Sequence, residues 1–171
     1  MIGRLHHVII DCPDPPALAA FYSELLGLPV TWLRHDFAVV ASSDRSSGIA
    51  FQLAPGHQPP RWPDPRSSQQ VHLDVMVDDV DAADPAVLAL GARRLPGAGG
   101  SRVYADPAGH PFCLIPRPAW APAIGASKPR PAGGSAGPAG STGPARSTGP
   151  AGPAGSAAPA GPASSGGAAG G

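Results

Sequence analysis

The pattern of apolar positions predicts two amphipathic helices in the first part of the chain. In the first helix, the apolar side chains recur at the i, i+3, i+4 and i+7 spacing, at Leu18, Phe21, Tyr22 and Leu25. Asp14 is a suitable N-cap, and Gly27 supplies a left-handed end. The second helix is predicted over residues 80–90, with Asp81 or Asp84 as its cap.

Short apolar runs predict seven or eight strands around these helices. The runs lie at residues 5–11, 30–33, 37–41 and 48–54, and then at residues 71–77, 92–95, 102–105 and 111–116. In each half a strand precedes the helix and further strands follow it, so the two halves form an internal repeat. We therefore predict an α+β fold in which two βαβββ modules form one domain over residues 1–118.

Alternation along the strands assigns side chains to the two faces of each sheet. In the strand at residues 71–77, valines and a leucine form one face, whereas His72 and Asp74 lie on the other. The same alternation turns four further polar side chains away from the helices, at His7, Asp11, Gln52 and Cys113. Polar groups from four strands and both modules are therefore expected around one shared cleft, which is the predicted ligand site.

Residues 119–171 differ sharply in composition from the domain. The last 51 residues contain 15 Ala, 14 Gly and 9 Pro, with Ile124 as their one large aliphatic side chain. So little apolar surface cannot offset the entropy lost when such a segment orders. Glycine recurs at every third position only in short runs, which a collagen helix does not tolerate. We therefore predict a disordered tail.

Charge and the length of the apolar runs argue against two classes of partner. Residues 1–120 carry nine Arg against twelve acidic residues, which is not the basic excess of a nucleic-acid-binding domain. No apolar run approaches the ~18 residues of a membrane span, and the start of the chain lacks the apolar segment of a signal peptide. Two cysteines do not form a disulfide scaffold, so a cytoplasmic location is expected.

Four segments, in this order and spacing, resemble the vicinal oxygen chelate superfamily. They are His7-Val8, residues 20–27 with the sequence AFYSELLG, residues 71–75 and residues 104–112. This superfamily includes glyoxalase I, the extradiol dioxygenases and the fosfomycin- and bleomycin-resistance proteins. The likeness covers roughly residues 4–116, and in its detailed residues the sequence is most similar to the glyoxalase-like proteins. It implies the paired-module fold and a small organic ligand in the cleft, and it is compatible with a homodimer.

The resemblance also implies positions for a metal ion between the modules. Metal-dependent members take ligands from the first, fourth, fifth and eighth strands, usually His, Glu, His and Glu. Here those positions hold His7, Gln52, His72 and Cys113. The one glutamate in the sequence, Glu24, falls on the predicted first helix, so no glutamate can serve in the cleft. A zinc or iron ion held by His7 and His72 is one alternative, and a metal-free ligand pocket is the other.

Two functions follow from these alternatives. The first is the binding of a small organic ligand without chemistry, with contacts expected from Asp11, Gln52, Trp62, Asp74 and Cys113. The second is a metal-dependent lyase, isomerase or dioxygenase with His7 and His72 as retained ligands and no assigned catalytic residue. In either case Asp74, two residues beyond His72, is placed to orient its imidazole.

The remaining aromatic and histidine residues have simpler interpretations. Trp62 lies in a proline-rich loop, where it either stacks on a ligand at the cleft mouth or covers the core. Trp32 and Tyr104 lie on predicted strands and are expected in the core. The other histidines of the domain are expected at the surface, with His35, His57 and His110 in solvated turns.

Overall fold

The computed structural model describes residues 1–97 and 102–124. In the first half, β1 (His7–Cys12) leads into α1 (Pro15–Leu26), followed by β2 (Val30–Leu33), β3 (Phe37–Ala41) and β4 (Gly48–Leu53). A 3₁₀ turn (Pro65–Ser67) lies in the connection to the second half. There β5 (Leu73–Val77) leads into α2 (Val80–Ala89), followed by β6 (Arg93–Leu95), β7 (Arg102–Ala105) and β8 (Pro111–Pro116).

The two halves have the same sheet topology. Each half folds into a four-stranded sheet, with order β1-β4-β3-β2 in the first module and β5-β8-β7-β6 in the second. In both modules, the first and last strands are hydrogen-bonded neighbours and run parallel, and the other strand pairs are antiparallel. The predicted α+β fold of two βαβββ modules is therefore confirmed.

The helix boundaries follow from capping residues. The Asp14 carboxylate accepts a hydrogen bond from the Ala17 amide at 3.0 Å, and Gly27 ends α1 in the left-handed region, with φ 64°. The second helix begins at Val80, as predicted, but its cap is Asp79 and not Asp81 or Asp84. The Asp79 carboxylate accepts hydrogen bonds from the backbone amides of Asp81 and Ala82, two and three residues further on, as an N-cap side chain usually does.

The core connects the two modules through aromatic side chains. On α1, Tyr22 stacks on Phe51 of β4, with ring centroids 5.2 Å apart. Its neighbour Phe21 meets Phe112 of β8 edge to face at 5.9 Å, and Phe112 stacks in turn on Tyr104. All these rings are buried, so α1 packs against strands of both sheets and fixes one module against the other.

The described chain continues past β8 in contact with the domain. A guanidinium N–H of Arg117 donates to the Ala121 carbonyl at 2.7 Å, and the Ile124 amide donates to the Asp78 carboxylate at 3.0 Å. Ala121 is buried. The first residues of the predicted tail thus pack on the end of β5, whereas the rest of the tail, residues 125–171, lies outside the described residues. Neither described helix has the length and apolar character that crossing a bilayer requires.

Candidate functional site

Three side chains that can ligate a metal meet on the exposed face of the second sheet. Asp74 and Cys113 are register partners in the parallel pair β5–β8, so their side chains lie on the same face. His72 precedes Asp74 by two residues, and its Nε2 lies 3.6 Å from the Asp74 Oδ1. The donor atoms of the three residues all lie within 4.8 Å of one another. We call this group the His-Asp-Cys cluster.

The surroundings of the Cys113 thiol keep it protonated. Burial raises the pKa of Cys113, and the negative charge of Asp74 and the hydrogen bond that it accepts from the thiol raise it further. Cys113 is therefore a neutral thiol at physiological pH unless a cation takes the place of its proton. An activated cysteine nucleophile has the opposite arrangement, with a cation beside the sulfur.

Of the candidate ligands of the first module, His7 is not part of this cluster. The His7 Nδ1 accepts a hydrogen bond from the Gly48 amide at 3.2 Å, and the His7 ring packs on His6. Desolvation, together with the neighbouring His6, lowers the pKa of His7. Gln52 is exposed on β4 as the register partner of Asp11. Within residues 1–97 and 102–124, the His-Asp-Cys cluster is the one group of three such side chains, and it does not include His7.

A cavity of about 360 Å³ lies beside the cluster, between β1 and the segment that leads into β5. Its apolar wall comes from the first strand and from Leu73. Its polar groups include Asp11, His57, His72 and His110, with glutamine and serine side chains from the loop before β5. Since His72 lines this cavity and also belongs to the cluster, the two features adjoin through one imidazole.

A buried hydrogen-bond network stands behind the cavity wall. The Asp106 carboxylate accepts hydrogen bonds from the Tyr22 hydroxyl at 3.0 Å and from the His110 Nδ1 at 2.9 Å. It also accepts hydrogen bonds from the backbone amides of Ala108 and His110, both at 2.9 Å. The Nε2 of His110 contacts the carbonyl oxygen of Asp11 at 2.9 Å. The network joins α1 and β1 of the first module to the β7–β8 turn of the second.

The partners of His110 determine its protonation. A carboxylate and a carbonyl oxygen can only accept hydrogen bonds, so this geometry favours a proton on both ring nitrogens, which is the imidazolium form of His110. Burial lowers the pKa of His110, but the hydrogen bond and charge of Asp106 outweigh it and raise the pKa overall. Burial also raises the pKa of Tyr22 far above its usual value, so this hydroxyl stays neutral.

The expectation that His57 and His110 are solvated turn residues was wrong. His110 is held by Asp106 and Asp11, and the His57 ring lies 4.7 Å from it, with Nε2 near the Ala108 carbonyl at 3.1 Å. Strand alternation carries no information on turn residues, so it missed both histidines. A usable signal was present: Asp at the first position of an Asp-Pro-x-Gly turn commonly accepts hydrogen bonds from the turn's own amides.

The family to which this geometry belongs emerges from comparison with known proteins. A family model described as a glyoxalase-like domain matches residues 7–115, which span both modules. The chain belongs to the glyoxalase-like domain family. This family lies within the vicinal oxygen chelate superfamily, as the sequence motifs predict. A comparison with curated proteins found no match.

Solved structures agree with this fold. One neighbour of the glyoxalase-like domain is a glyoxalase/bleomycin resistance protein/dioxygenase family enzyme from Burkholderia phytofirmans, at 21% identity and TM-score 0.52, covering 67% of this chain and 98% of that one. Another is a glyoxalase-related enzyme from Fulvimarina pelagi, at 17% identity and TM-score 0.51, covering 68% of this chain and 89% of that one. At these identities the comparison establishes the architecture that the two proteins share with this chain.

The two tryptophans in question occupy different positions in this glyoxalase-like domain. Trp62 does not line the cavity; its indole N–H donates to the Pro96 carbonyl at 2.7 Å, next to β6. Trp32 is 53% exposed, so the expectation that it packs in the core was wrong, whereas Tyr104 is fully buried as expected. A register irregularity between Val30 and Trp32 breaks the alternation of β2 and explains the exposure of Trp32.

The donor chemistry of this family member differs from that of superfamily members with glutamate ligands. Glu24, the only glutamate in the sequence, lies in α1 and not in either sheet. What the second sheet offers is an imidazole, one carboxylate and a thiol. Sulfur and nitrogen donors suit zinc, whereas magnesium and manganese prefer all-oxygen sites. The residues present therefore fit a zinc ion better than the harder metals.

Proposed function

We propose that this glyoxalase-like protein binds a small organic molecule in the cavity between β1 and the segment leading into β5. The observation that carries the proposal is the cavity itself. Its volume of about 360 Å³ lies within the range typical of small-molecule sites, about 300–1,000 Å³. It combines an apolar wall with a few convergent polar groups, which is the usual composition of such sites.

The proposed contacts only partly coincide with those expected from sequence. Asp11 lines the cavity, together with Tyr22, His57, His72 and His110. Four expected contacts lie outside the lining, at Gln52, Trp62, Asp74 and Cys113. Two of these, Asp74 and Cys113, adjoin the cavity through His72, so a ligand that extends past this imidazole would reach them.

The serine and glutamine side chains of the loop before β5 supply hydrogen-bond donors to the cavity wall, whereas both ring N–H groups of His110 are already bonded to Asp106 and Asp11. His110 and His57 lie side by side there, and the carboxylate that balances His110 lies behind the wall, outside the lining. Planar ligands with a carboxylate or phenolic oxygen are therefore the class we expect, because such an oxygen can accept hydrogen bonds from this wall.

Metal-dependent lyase, isomerase or dioxygenase chemistry is the second candidate function. One observation favours it, which is that His72 belongs both to the cavity wall and to the His-Asp-Cys cluster. A metal there would lie at the edge of the bound ligand, where it could polarise an oxygen of that ligand. If His7 also bound the metal, as the family resemblance implies, the ion would take ligands from both modules.

A thermal-shift screen with a blocking variant tests the binding function. The probes are planar aromatic carboxylates and phenols added singly to the metal-free protein. A ligand that binds the native state raises the free energy of unfolding by about 2.7 kcal/mol at a concentration 100 times its Kd, and the midpoint temperature rises with it. Ser68→Trp fills the cavity from its lining and should remove the shift. Ser43→Trp, in the loop after β3, is the matched control and should retain it.

Two outcomes count against the proposal. If no probe shifts the wild-type midpoint, cavity binding of this ligand class is wrong. If a probe shifts Ser68→Trp as strongly as wild type, that probe binds elsewhere. Metal-dependent chemistry is tested separately, by adding zinc or ferrous iron to the protein together with a probe that shifts its midpoint and analysing for conversion of that probe.

A further inference from the structure

We propose that His72, Asp74 and Cys113 form a zinc site contained within the second module. This goes beyond the proposed cavity function, since it requires neither an organic ligand nor any residue of the first module. The observation is the convergence of three different donor types, with all donor atoms within 4.8 Å of one another. The metal positions implied by the family resemblance come from both modules, whereas all three ligands proposed here belong to the second. Asp74 is then a direct ligand of the ion.

The backbone already sets most of the required geometry. Donors around a tetrahedral zinc ion lie roughly 3.3–3.6 Å apart, given bond lengths of about 2.0–2.3 Å. The His72 Nε2 and the Asp74 Oδ1 are 3.6 Å apart, so this pair needs almost no movement. Parallel pairing of β5 with β8 holds Cys113 beside Asp74. The remaining adjustment falls on side-chain torsions and leaves the sheet unchanged.

The site is open to entry by a metal ion. The side chains of His72 and Asp74 are 45% and 53% exposed, so neither must unpack for an ion to reach it. Cys113 is partly exposed beside them. Three protein ligands leave the fourth position of a tetrahedral ion for water, which is the pattern of open zinc sites.

The charges in the cluster suit a divalent ion. Without a metal, the Cys113 thiol keeps its proton at neutral pH, as cysteine thiols ordinarily do, and it lies beside the Asp74 carboxylate. On binding, that proton leaves to water, the thiolate and the carboxylate bind the ion, and the two negative charges balance its two positive charges. The neutral imidazole of His72 completes the set. This exchange is a substitution of zinc for a proton, with no change in oxidation state.

Cobalt spectroscopy on the intact chain provides the test. Co²⁺ added alone should bind in one equivalent and give the near-ultraviolet sulfur-to-cobalt charge-transfer band, which zinc then removes by displacement. Cys113→Ser should abolish the band while Cys12, buried and unchanged, serves as an internal control. His72→Ala and Asp74→Asn should each weaken metal affinity by at least about tenfold.

Matched variants separate this site from the alternatives. His7→Ala should leave the band and the affinity unchanged, as should His35→Ala and Asp36→Asn at an exposed histidine–aspartate pair. Circular dichroism of each variant establishes that it is folded. The inference is overturned if wild type gives no band, if Cys113→Ser retains it, or if His7→Ala loses it as His72→Ala does. Loss of affinity in the His35 or Asp36 variant would also overturn it, by showing unspecific binding.

Discussion

The hydroxyl of Tyr22 donates a hydrogen bond to the buried carboxylate of Asp106, 84 positions further along the chain. Tyr22 belongs to α1 of the first module, and Asp106 begins the turn between β7 and β8 of the second. The bond therefore crosses the boundary between the modules at the back of the cavity. It holds the cavity wall and the module interface in one arrangement, so we expect stability and ligand binding to depend on it together.

Tyr22→Phe should destabilise the protein by about 1–2 kcal/mol, because it removes one hydrogen bond to a buried carboxylate while keeping the ring in the core. Asp106 retains its bonds to His110 and to two backbone amides, which limits the loss. Equilibrium urea unfolding measures the change. Asp106→Asn, and the double variant, complete a cycle in which a coupling energy near zero would contradict the interaction.

His110 should stabilise the protein more at low pH than at high pH. Its pKa is raised in the folded state by Asp106, despite the opposing effect of burial. A raised pKa gives stability that is fully present below the unfolded value, about 6.5 for histidine, and is lost as the pH rises through the folded value. The free energy of unfolding lost in His110→Gln should therefore be largest below about pH 6 and smaller in alkaline solution.

The environment of His110 supplies the controls for this pH dependence. The groups that face its ring are the Asp106 carboxylate, the Asp11 carbonyl and the His57 ring. His57→Gln, measured over the same pH range, separates the contribution of the second histidine. A free-energy difference between wild type and His110→Gln that does not vary with pH would contradict an imidazolium at this position.

Asp84 should contribute to stability at neutral pH and lose that contribution in acid. It is buried on α2 and accepts hydrogen bonds from Arg94 Nε at 2.8 Å and from the Tyr104 hydroxyl at 2.6 Å. The bond from Arg94, followed by that from Tyr104, lowers the pKa of Asp84 to about 2. A carboxyl group with a lowered pKa stabilises the folded state when the pH is above its unfolded pKa of 3.8. This stabilisation is lost as the pH falls through the folded pKa of about 2.

Asp84→Asn tests this contribution by acid unfolding followed with circular dichroism. The variant should be less stable than wild type at neutral pH, and the difference should shrink between about pH 4 and pH 2. Asp81→Asn is the matched control, because that carboxylate is exposed and pairs with Arg102 on the surface. Equal effects of the two substitutions would show that burial of Asp84 is unimportant.

Two truncations distinguish the packed part of the C-terminal segment from the rest. Removal of residues 125–171 should leave the midpoint of thermal unfolding nearly unchanged, because their composition offers little apolar surface to bury. Removal of residues 119–171 should lower it, because the burial of Ala121 and the hydrogen bond from Ile124 to Asp78 are lost. Calorimetry measures both. A large decrease with the shorter deletion would mean that the distal residues pack on the domain.

The sequence pattern was sufficient for the module architecture and for one face of the site. Period-two alternation placed Asp74 and Cys113 on a common side, and the parallel register of β5 and β8 makes them neighbours. These are local consequences of strand geometry, so they can be worked out without tertiary contacts. The same reasoning predicted the burial of Tyr104, but it failed for Trp32, where the register irregularity in β2 interrupts the alternation.

The buried network could not be predicted from the same pattern. Asp106, His110 and Tyr22 come together only because α1 packs against the β7–β8 turn, a contact between distant parts of the chain. Their separate residue types are ordinary for a turn and a helix. The position of the cavity likewise depends on the path of the loop before β5, which has no periodicity to guide a prediction. The network and the cavity could therefore be located only from the three-dimensional structure, whereas the fold could be predicted from the sequence.

The position of His72 at the border between the cavity and the His-Asp-Cys cluster has a thermodynamic consequence. A zinc ion that fixes the orientation of the His72 imidazole changes the cavity wall that an organic ligand, or guest, contacts. The guest in turn affects the orientation of the same imidazole and so the binding of zinc. Linkage then requires reciprocity: whatever factor zinc imposes on the guest's dissociation constant, the guest must impose on that of zinc. A pair of titrations, each with and without the other component, would measure that factor twice.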